Sequence, residues 1–306
     1  MYPENLEISQ YHYSSALILQ SKDCLDEAIK EYKEALKANP GSAEIHLELG
    51  NALFFKGLIN EAMEEYREAL RINPEESAAH NNLGIILRDR GLLDESIVEF
   101  KEAIRIDPGE AFYHFNLGYS FYLKGLFGEA ANEYLEGMKI NPEDAQAHLH
   151  LGTIFYMVGD IDEAIYEWKE AVRIDPLNEV SHHNLGVAFQ GSGIFEEAVR
   201  EYTEALKINP DHGEAHFNLG VIFHDKGLLE KAIKEYRETI RIDPKHGPAH
   251  NGLGAALATM GFLDEAIREF QEAIRINPED SQADNNLKIA LSEKGFSPDE
   301  SKDEPC

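Results

Sequence analysis

The strongest constraint on the fold is a histidine that recurs every 34 residues without an insertion or a deletion. A proline preceded by Asn or Asp recurs with the same period and in constant phase. The two columns are His12, His46, His80, His114, His148, His182, His216 and His250, and Pro40, Pro74, Pro108, Pro142, Pro176, Pro210, Pro244 and Pro278. A fixed period of this length predicts a stack of similar units, each burying its apolar face against its neighbours.

Each period reads as two helices. In the second period, apolar residues recur at helical spacing from Ile45 to Leu53 and are followed by Gly57, a residue suited to the left-handed position that closes a helix. A second apolar stripe surrounds Tyr66, with charged residues on the opposite face. This run should end before Pro74, because the residue preceding a proline is biased away from helical backbone. We name the two predicted helices of each period helix A and helix B.

This pattern resembles the tetratricopeptide repeat, whose motif places a large residue, Leu-Gly and a bulky residue in helix A, then a small residue, an aromatic residue and Pro. In the third period these positions hold His80, Leu83, Gly84, Leu87, Ser96, Phe100 and Pro108. One departure is uniform, since His stands in every period where the family usually has Trp. The resemblance implies an all-α fold, a right-handed superhelical α-solenoid of helical hairpins.

The same register divides the chain into a lead-in, an array and a tail. We expect a lead-in at 1–8, a solenoid at 9–294 and a flexible acidic tail at 295–306, where apolar residues are few. The solenoid would contain eight repeats that begin near 9, 43, 77, 111, 145, 179, 213 and 247, followed by a capping helix at 281–294. The atypical residues of the first repeat suit a capping unit as well.

The composition and charge of the chain limit the classes of partner and the cellular compartment that we expect. The chain has 57 acidic and 28 basic residues, for a formal charge of -29, which repels phosphate backbones and anionic lipid. We therefore predict no nucleic-acid and no membrane partner. Cys24 and Cys306 cannot build a disulfide framework, and no secretion signal or membrane anchor is visible, so we expect a reducing, cytoplasmic environment.

The sequence carries no motif of covalent chemistry. We find no Gly-x-Ser-x-Gly, no His-Glu-x-x-His and no phosphate-binding glycine loop, so we predict a protein that is not an enzyme and needs no cofactor. The histidine column is a poor metal site, because helices of one layer pack ~8–10 Å apart whereas ligands lie ~2 Å from zinc. We interpret these histidines as packing side chains, and we expect His114→Phe to be nearly neutral.

The resemblance implies that certain positions of helix A point into a groove, and the residues at these positions suggest a binding surface. These positions hold a column of Asn residues, whose amides could pair with the backbone of a bound peptide or could instead serve local backbone groups. They also hold aromatic residues that the hairpin core does not need, which would mark a partner site or would pack against each other or a neighbouring molecule. The candidate groove residues are Phe54, Phe55, Asn82, Phe112, Phe115, Asn116, Tyr119, Tyr122, Tyr156, Asn184, Phe217 and Asn218.

One known mode of recognition in the family does not fit. Tetratricopeptide domains that clamp acidic chaperone C-termini use two Asn and three basic residues at fixed positions. Asn51 and Asn82 match the two Asn, but the basic positions hold Leu47, Phe112 and Asn116. The resemblance therefore implies a non-catalytic interaction scaffold that binds a protein segment in its groove. The alternative is a substrate-recruiting or regulatory subunit of a separate enzyme or assembly complex, and the oligomeric state stays open.

Overall fold

The computed structural model describes residues 3–295, and within this range every regular element is an α-helix. This part of the chain divides into two units, one ending at Asp160 and the other beginning at Ile161. The predicted tail therefore lies outside the described residues, apart from Gly295. Helical hairpins stacked along the chain confirm the predicted α-solenoid of paired helices.

The first unit contains four hairpins and a ninth helix that packs against the fourth hairpin. Its helices are α1 (Pro3–Ser21), α2 (Leu25–Ala38), α3 (Ala43–Phe55), α4 (Ile59–Ile72), α5 (Ser77–Asp89), α6 (Leu93–Ile106), α7 (Ala111–Leu123), α8 (Phe127–Ile140) and α9 (Ala145–Val158).

The second unit starts with a B helix and continues with three hairpins and a final helix that packs on the last hairpin. Its helices are α10 (Ile161–Ile174), α11 (Glu179–Gly191), α12 (Phe195–Ile208), α13 (Gly213–Asp225), α14 (Leu229–Ile242), α15 (Gly247–Thr259), α16 (Leu263–Ile276) and α17 (Ser281–Glu293).

The two helices of a hairpin approach closely because a glycine of helix A faces an aromatic ring of helix B. In the third hairpin, a Cβ added to Gly84 would lie 2.8 Å from Phe100 Cε1. Phe100 itself is fully buried, as are Tyr66 and Tyr134 at the equivalent positions of the neighbouring hairpins. The Leu-Gly and aromatic columns of the sequence are thus one packing unit, and a larger residue in place of the glycine would push the helices apart.

The helix ends follow the chemistry of the loop residues. Gly57 ends helix A with a φ of 81°, in the left-handed region that glycine enters without strain. The Asn or Asp before most of the repeat prolines closes a small turn, as where Asn73 Oδ1 accepts the Glu75 N–H at 3.2 Å. The next helix A often begins with a side-chain cap, as where Ser42 accepts the Ile45 N–H. These loops fix the register of each hairpin.

The start of the array has two distinguishing features. Helix α1 begins at Pro3, so the segment predicted as a lead-in is largely helical. The first repeat also lacks the polar outer face of a cap, because Tyr11 and Ile18 are exposed there. By contrast, the outer face of α17 exposes Asp284, Asn285 and Lys288.

Candidate functional site

The A helices of the first unit line an apolar pocket of about 220 Å³. Two phenylalanine rings at its edge are exposed, Phe55 at 72% and Phe112 at 56%, although burying a ring of this size normally stabilises a protein by a few kcal/mol. We call this site the apolar pocket. Its lining residues are Asn51, Phe54, Phe55, Tyr66, Asn81, Asn82, Ile85 and Phe112.

A second pocket of about 280 Å³ shares Phe112 with the first. Its distinguishing group is the Arg88 guanidinium, which lies 5.2 Å from the centroid of the Tyr119 ring. We call it the Arg88 pocket, and its lining residues are Arg88, Phe112, Phe115, Asn116, Tyr119, Tyr134, Asp144, Gln146, Ala147 and His150. Burial lowers the pKa of His150, so this ring presents a neutral surface near neutral pH.

A continuous chain of amide hydrogen bonds runs beneath both pockets and links α3, α5 and α7. Its bonds are Tyr66 Oη to Asn51 Oδ1 (2.9 Å), Asn82 Nδ2 to Asn51 Oδ1 (2.8 Å), Asn81 Nδ2 to Asn82 Oδ1 (3.1 Å), Asn116 Nδ2 to Asn81 Oδ1 (2.9 Å) and Arg88 Nη1 to Asn116 Oδ1 (3.1 Å). Each amide thus donates to the oxygen of a neighbouring amide or accepts from one. The chain holds the pocket floor in a defined arrangement.

The amide chain differs from both interpretations of the Asn column. Asn116 does not serve local backbone groups, and at 9% exposure it is not freely available to a peptide. Asn82 is only partly buried and retains a second N–H and a second lone pair. Asn82 is therefore the better candidate of the two for a contact with a ligand.

The aromatic candidates divide into exposed and packed rings. The expectation that Phe115 is exposed is wrong, since its ring is 9% exposed and lies in van der Waals range of helix α8, stacked on Tyr134 at a centroid distance of 6.0 Å. Tyr119 and Tyr122 are partly buried and stack on each other at 6.1 Å. Phe54 is partly buried, and Tyr156 is exposed.

In the second unit, the corresponding candidates have different neighbours, although Phe217 also packs against the apolar core around Tyr236. Phe217 is partly buried and packs against His246 at a centroid distance of 4.7 Å. Asn218 and Asn184 are partly buried, and neither forms an amide pair like that of Asn116 with the residues described in this unit. An amide pair does recur between Asn286 and Asn251 at 2.9 Å.

The histidine column is a set of polar bridges. Nδ1 donates to the Glu carboxylate 19 residues later at 2.6–2.8 Å in His12, His46, His80, His114, His182, His216 and His250. In His80 the Nε2 atom also lies 3.1 Å from the carbonyl oxygen of Pro74, and most of the other repeats share this contact. The interpretation as packing side chains is therefore incomplete: His114→Phe, expected from the sequence to be nearly neutral or stabilising, would remove the hydrogen-bond partner of Glu133.

The two acceptors explain the raised pKa of two of these histidines, His80 and His182. Donation from both ring nitrogens requires the protonated imidazolium. The hydrogen bond to Glu99 raises the pKa of His80 above its ordinary value, and that to Glu201 does the same for the pKa of His182. With both nitrogens directed at protein oxygens, the rings of His80 and His182 are not presented to a ligand.

Ten of the pocket residues were not among the candidates drawn from the sequence, and these ten include two residues at inward positions of α5. Arg88 and Ile85 lie eight and five positions after His80, both on the inward face of helix A. The sequence does indicate Arg88, because a lone cation among apolar inward positions is unusual. The candidate residues, however, were restricted to Asn and aromatic side chains.

Two further properties concern the described part of the chain only. None of the helices within residues 3–295 combines the length and the apolar character needed to cross a bilayer. Nor do three His, Cys, Asp or Glu side chains in this range converge in an arrangement that could hold a metal ion.

The fold has many known counterparts. One is the crystal structure of YrrB, described as a TPR protein with an unusual peptide-binding site, with 21% identity, a TM-score of 0.54, and coverage of 61% of this chain and 96% of that one. A second is the C-terminal part of a TPR repeat-containing protein from Cytophaga hutchinsonii, with 17% identity, a TM-score of 0.65, and coverage of 79% and 99%. A third is PilF from Pseudomonas aeruginosa, with 18% identity, a TM-score of 0.61, and coverage of 72% and 98%. At these identities the likeness shows the fold alone.

Family models agree with the fold, although no curated protein matches the sequence. Models described as tetratricopeptide repeat or TPR repeat match residues 24–83, 84–125, 118–159, 153–193, 183–247 and 247–280. Together they span most of the chain. The chain is a member of the tetratricopeptide repeat family.

Proposed function

We propose that this protein is a non-catalytic interaction scaffold whose first unit binds a protein segment, with a bulky apolar side chain of that segment seated in the apolar pocket. The observation that carries the proposal is the pair of exposed rings, Phe55 and Phe112, at the edge of a pocket with a polar floor. An interaction scaffold is also what membership of the family supports.

The chemistry of the pocket favours a protein segment. Exposed aromatic rings around a concave apolar site are typical anchors for a partner side chain. Asn51 and Asn82 lie on the floor of the same pocket, and Asn82 keeps donor and acceptor capacity for a peptide backbone group. A segment with one apolar anchor and an accessible backbone would use both features.

The charge of the scaffold affects how such a partner approaches. A net charge of -29 favours a partner with basic residues beside the apolar anchor. Because long-range attraction acts mainly on the association rate, raising the salt concentration should slow binding more than it shortens the lifetime of the complex.

Selection from a random peptide library displayed on phage tests the proposal. The purified full chain should enrich peptides with a Trp, Phe, Leu or Met anchor. The double variant Phe55→Ala, Phe112→Ala removes both exposed rings of the pocket. It should therefore lose on the order of 2 kcal/mol or more of binding free energy to a selected peptide, as measured by titration calorimetry.

The matched control is Tyr166→Ala. Tyr166 is also an exposed aromatic residue, but it lies on α10, a B helix of the other unit. This control should bind the selected peptide as the unmodified chain does. Undiminished affinity in the double variant would show that the peptide binds elsewhere and would refute the proposed site.

A further inference from the structure

The outer face of α1 is uncovered. We define this face by Glu7, Tyr11, Ser14, Ser15 and Ile18, and these residues line a shallow groove of about 600 Å³ together with Gln10. Tyr11 is 72% exposed and Ile18 is 55% exposed. Both are large side chains whose exposure gains nothing for the folded chain.

The other A helices of this unit show what such a face normally does. One repeat later, Tyr11 and Ile18 correspond to Ile45 and Ala52 of α3, which are buried where α3 packs against the preceding hairpin. The same two positions are buried in α5 and α7 as well. The fold therefore uses this face for helix packing, and α1 presents it without a cover from residues 3–295.

The pattern of residues on this face is self-complementary. If two copies of α1 pack antiparallel about a two-fold axis between Ser14 and Ser15, Tyr11 of one copy lies opposite Ile18 of the other. The same axis sets Glu7 of one copy opposite Lys22 of the other. Glu7 and Lys22 are both exposed, and neither has an ion-pair partner in the part of the chain that the structure describes.

We propose that the outer face of α1 binds a second copy of this chain, as an antiparallel α1–α1 pair with two-fold symmetry. A two-fold interface uses one patch twice, so the patch must complement itself. This patch does so: the Tyr11 ring meets the Ile18 side chain, opposite charges meet at the periphery, and the two serines leave room for the helices to cross closely. The proposal concerns a different surface from the apolar pocket and does not depend on the proposed function.

The charge of the chain predicts the salt dependence of this pair. Each copy carries a net charge of -29, so two copies repel at long range. Added salt screens this repulsion over distances beyond a Debye length of ~10 Å at 0.1 M. Dimerisation should therefore strengthen as the ionic strength rises from a low value, as expected for apolar contact between like-charged molecules.

Sedimentation equilibrium of the full chain over a range of concentrations tests the proposal. The unmodified chain should form dimers, and Ile18→Asp should weaken dimerisation at least tenfold. The matched control is Ile289→Asp, which alters an exposed isoleucine of α17 and should leave dimerisation unchanged. Circular dichroism of each variant verifies that the helices are retained.

A charge exchange tests the antiparallel register. Glu7→Lys alone and Lys22→Glu alone should each weaken the dimer, whereas the double variant Glu7→Lys, Lys22→Glu should restore it. A chain that stays monomeric at every concentration, or a dimer insensitive to Ile18→Asp, would overturn the proposal. A double variant no better than the single variants would overturn the antiparallel arrangement.

Discussion

The pentapeptide His-Phe-Asn-Leu-Gly occurs at 114–118 in the first unit and again, residue for residue, at 216–220 in the second. Both copies lie in A helices and occupy the same repeat positions. Their side chains nevertheless have different partners. Asn116 belongs to the amide chain, whereas Asn218 forms no such pair with the described residues of its unit. The comparison shows that a repeat position acquires its role from the neighbouring repeat.

The two phenylalanines differ because of one residue of the following helix B. Phe115 packs against Gly137, where an added Cβ would lie 2.4 Å from Phe115 Cε1. The equivalent of Gly137 in the second unit is Thr239, which is fully buried and leaves no such space. Phe217 keeps a contact with Tyr236 at a centroid distance of 6.0 Å, but its ring is tilted by 49° there and packs against His246 as well. A small residue on helix B thus decides where the ring of helix A goes.

The two asparagines differ because of the residue at the His+1 position of the preceding helix A. Asn116 donates to Asn81 at that position. For Asn218 the same position holds His183, whose ring stacks on His212 at a centroid distance of 4.6 Å. Where Asn stands there again, as Asn251, the amide pair recurs with Asn286.

The largest expected effect comes from giving the first pentapeptide the surroundings of the second. Gly137→Thr should destabilise the first unit by about 3 kcal/mol, because Phe115 must leave its site and neighbouring side chains must repack. The opening free energies of backbone amides in α7 and α8, measured by hydrogen exchange, would report this loss. Thr239→Gly, the reverse change, should cost less, about 1–2 kcal/mol in α14, through backbone entropy and the lost contacts of the buried Thr239 side chain. Comparable losses in both variants would contradict the role given to Gly137.

Shortening the side chain should lower the stability of the protein markedly at Asn116, which belongs to the amide chain, but hardly at Asn218. Asn116→Ala should cost about 2 kcal/mol, because it leaves Asn81 Oδ1 and an Arg88 donor without their partner in a buried site. Asn218→Ala should change stability by less than about 0.5 kcal/mol. Urea denaturation followed by circular dichroism measures both. Equal effects at the two positions would show that the amide chain contributes little.

Installing the missing partner should sharpen the comparison. His183→Asn should allow Asn218 to donate to a new amide oxygen, with a gain of about 1 kcal/mol. It also removes His183 Nε2, a buried nitrogen without a hydrogen-bond partner within the described range. In an NMR spectrum, the side-chain amide signals of Asn218 should move to new chemical shifts in the variant. They should also broaden less as the temperature is raised. Unchanged Asn218 signals would rule out the pair.

The smallest effect per site is the pH dependence of the histidine bridges. Burial lowers the pKa of His216, but the hydrogen bonds to Glu235 and to the Pro210 carbonyl outweigh it, so that the pKa lies above its ordinary value. A raised pKa in the folded state stabilises the protein fully below the pKa of the unfolded chain, and this contribution is lost as the pH rises through the folded-state pKa. The urea midpoint should thus be higher near about pH 6 than near pH 8, and His216→Phe should reduce the difference.

Glu235→Gln is the matched control for the pH experiment. It keeps the imidazole and the hydrogen-bonding shape but removes the carboxylate charge that favours the protonated ring. The variant should therefore resemble His216→Phe in its pH dependence. A pH dependence unaffected by either change would show that other groups dominate.

Much of the fold was accessible from the sequence, because the repeat register depends on local rules. The position of Gly57 and the Asn-Pro loop at Asn73 set where helices end, and the structure confirms both ends. The His–Glu bridges were also accessible, although they were missed: a Glu lies 19 residues after every histidine of the column. Predicting these bridges requires helix B to be interpreted as the source of hydrogen-bond partners for helix A, and not only as a charged outer face.

The sequence by itself determined the 34-residue hairpin, its two apolar stripes and the helix ends, since each follows from side chains a few positions apart on one helix. Only the tertiary structure decided that Phe115 is buried and Phe112 exposed, and that Asn116 is paired and Asn218 is not. These outcomes depend on Gly137 and Asn81, which lie 22 and 35 residues away along the chain. Because protein interiors are close-packed, the neighbouring helices determine the surroundings of a side chain. Two identical pentapeptides therefore make different contacts.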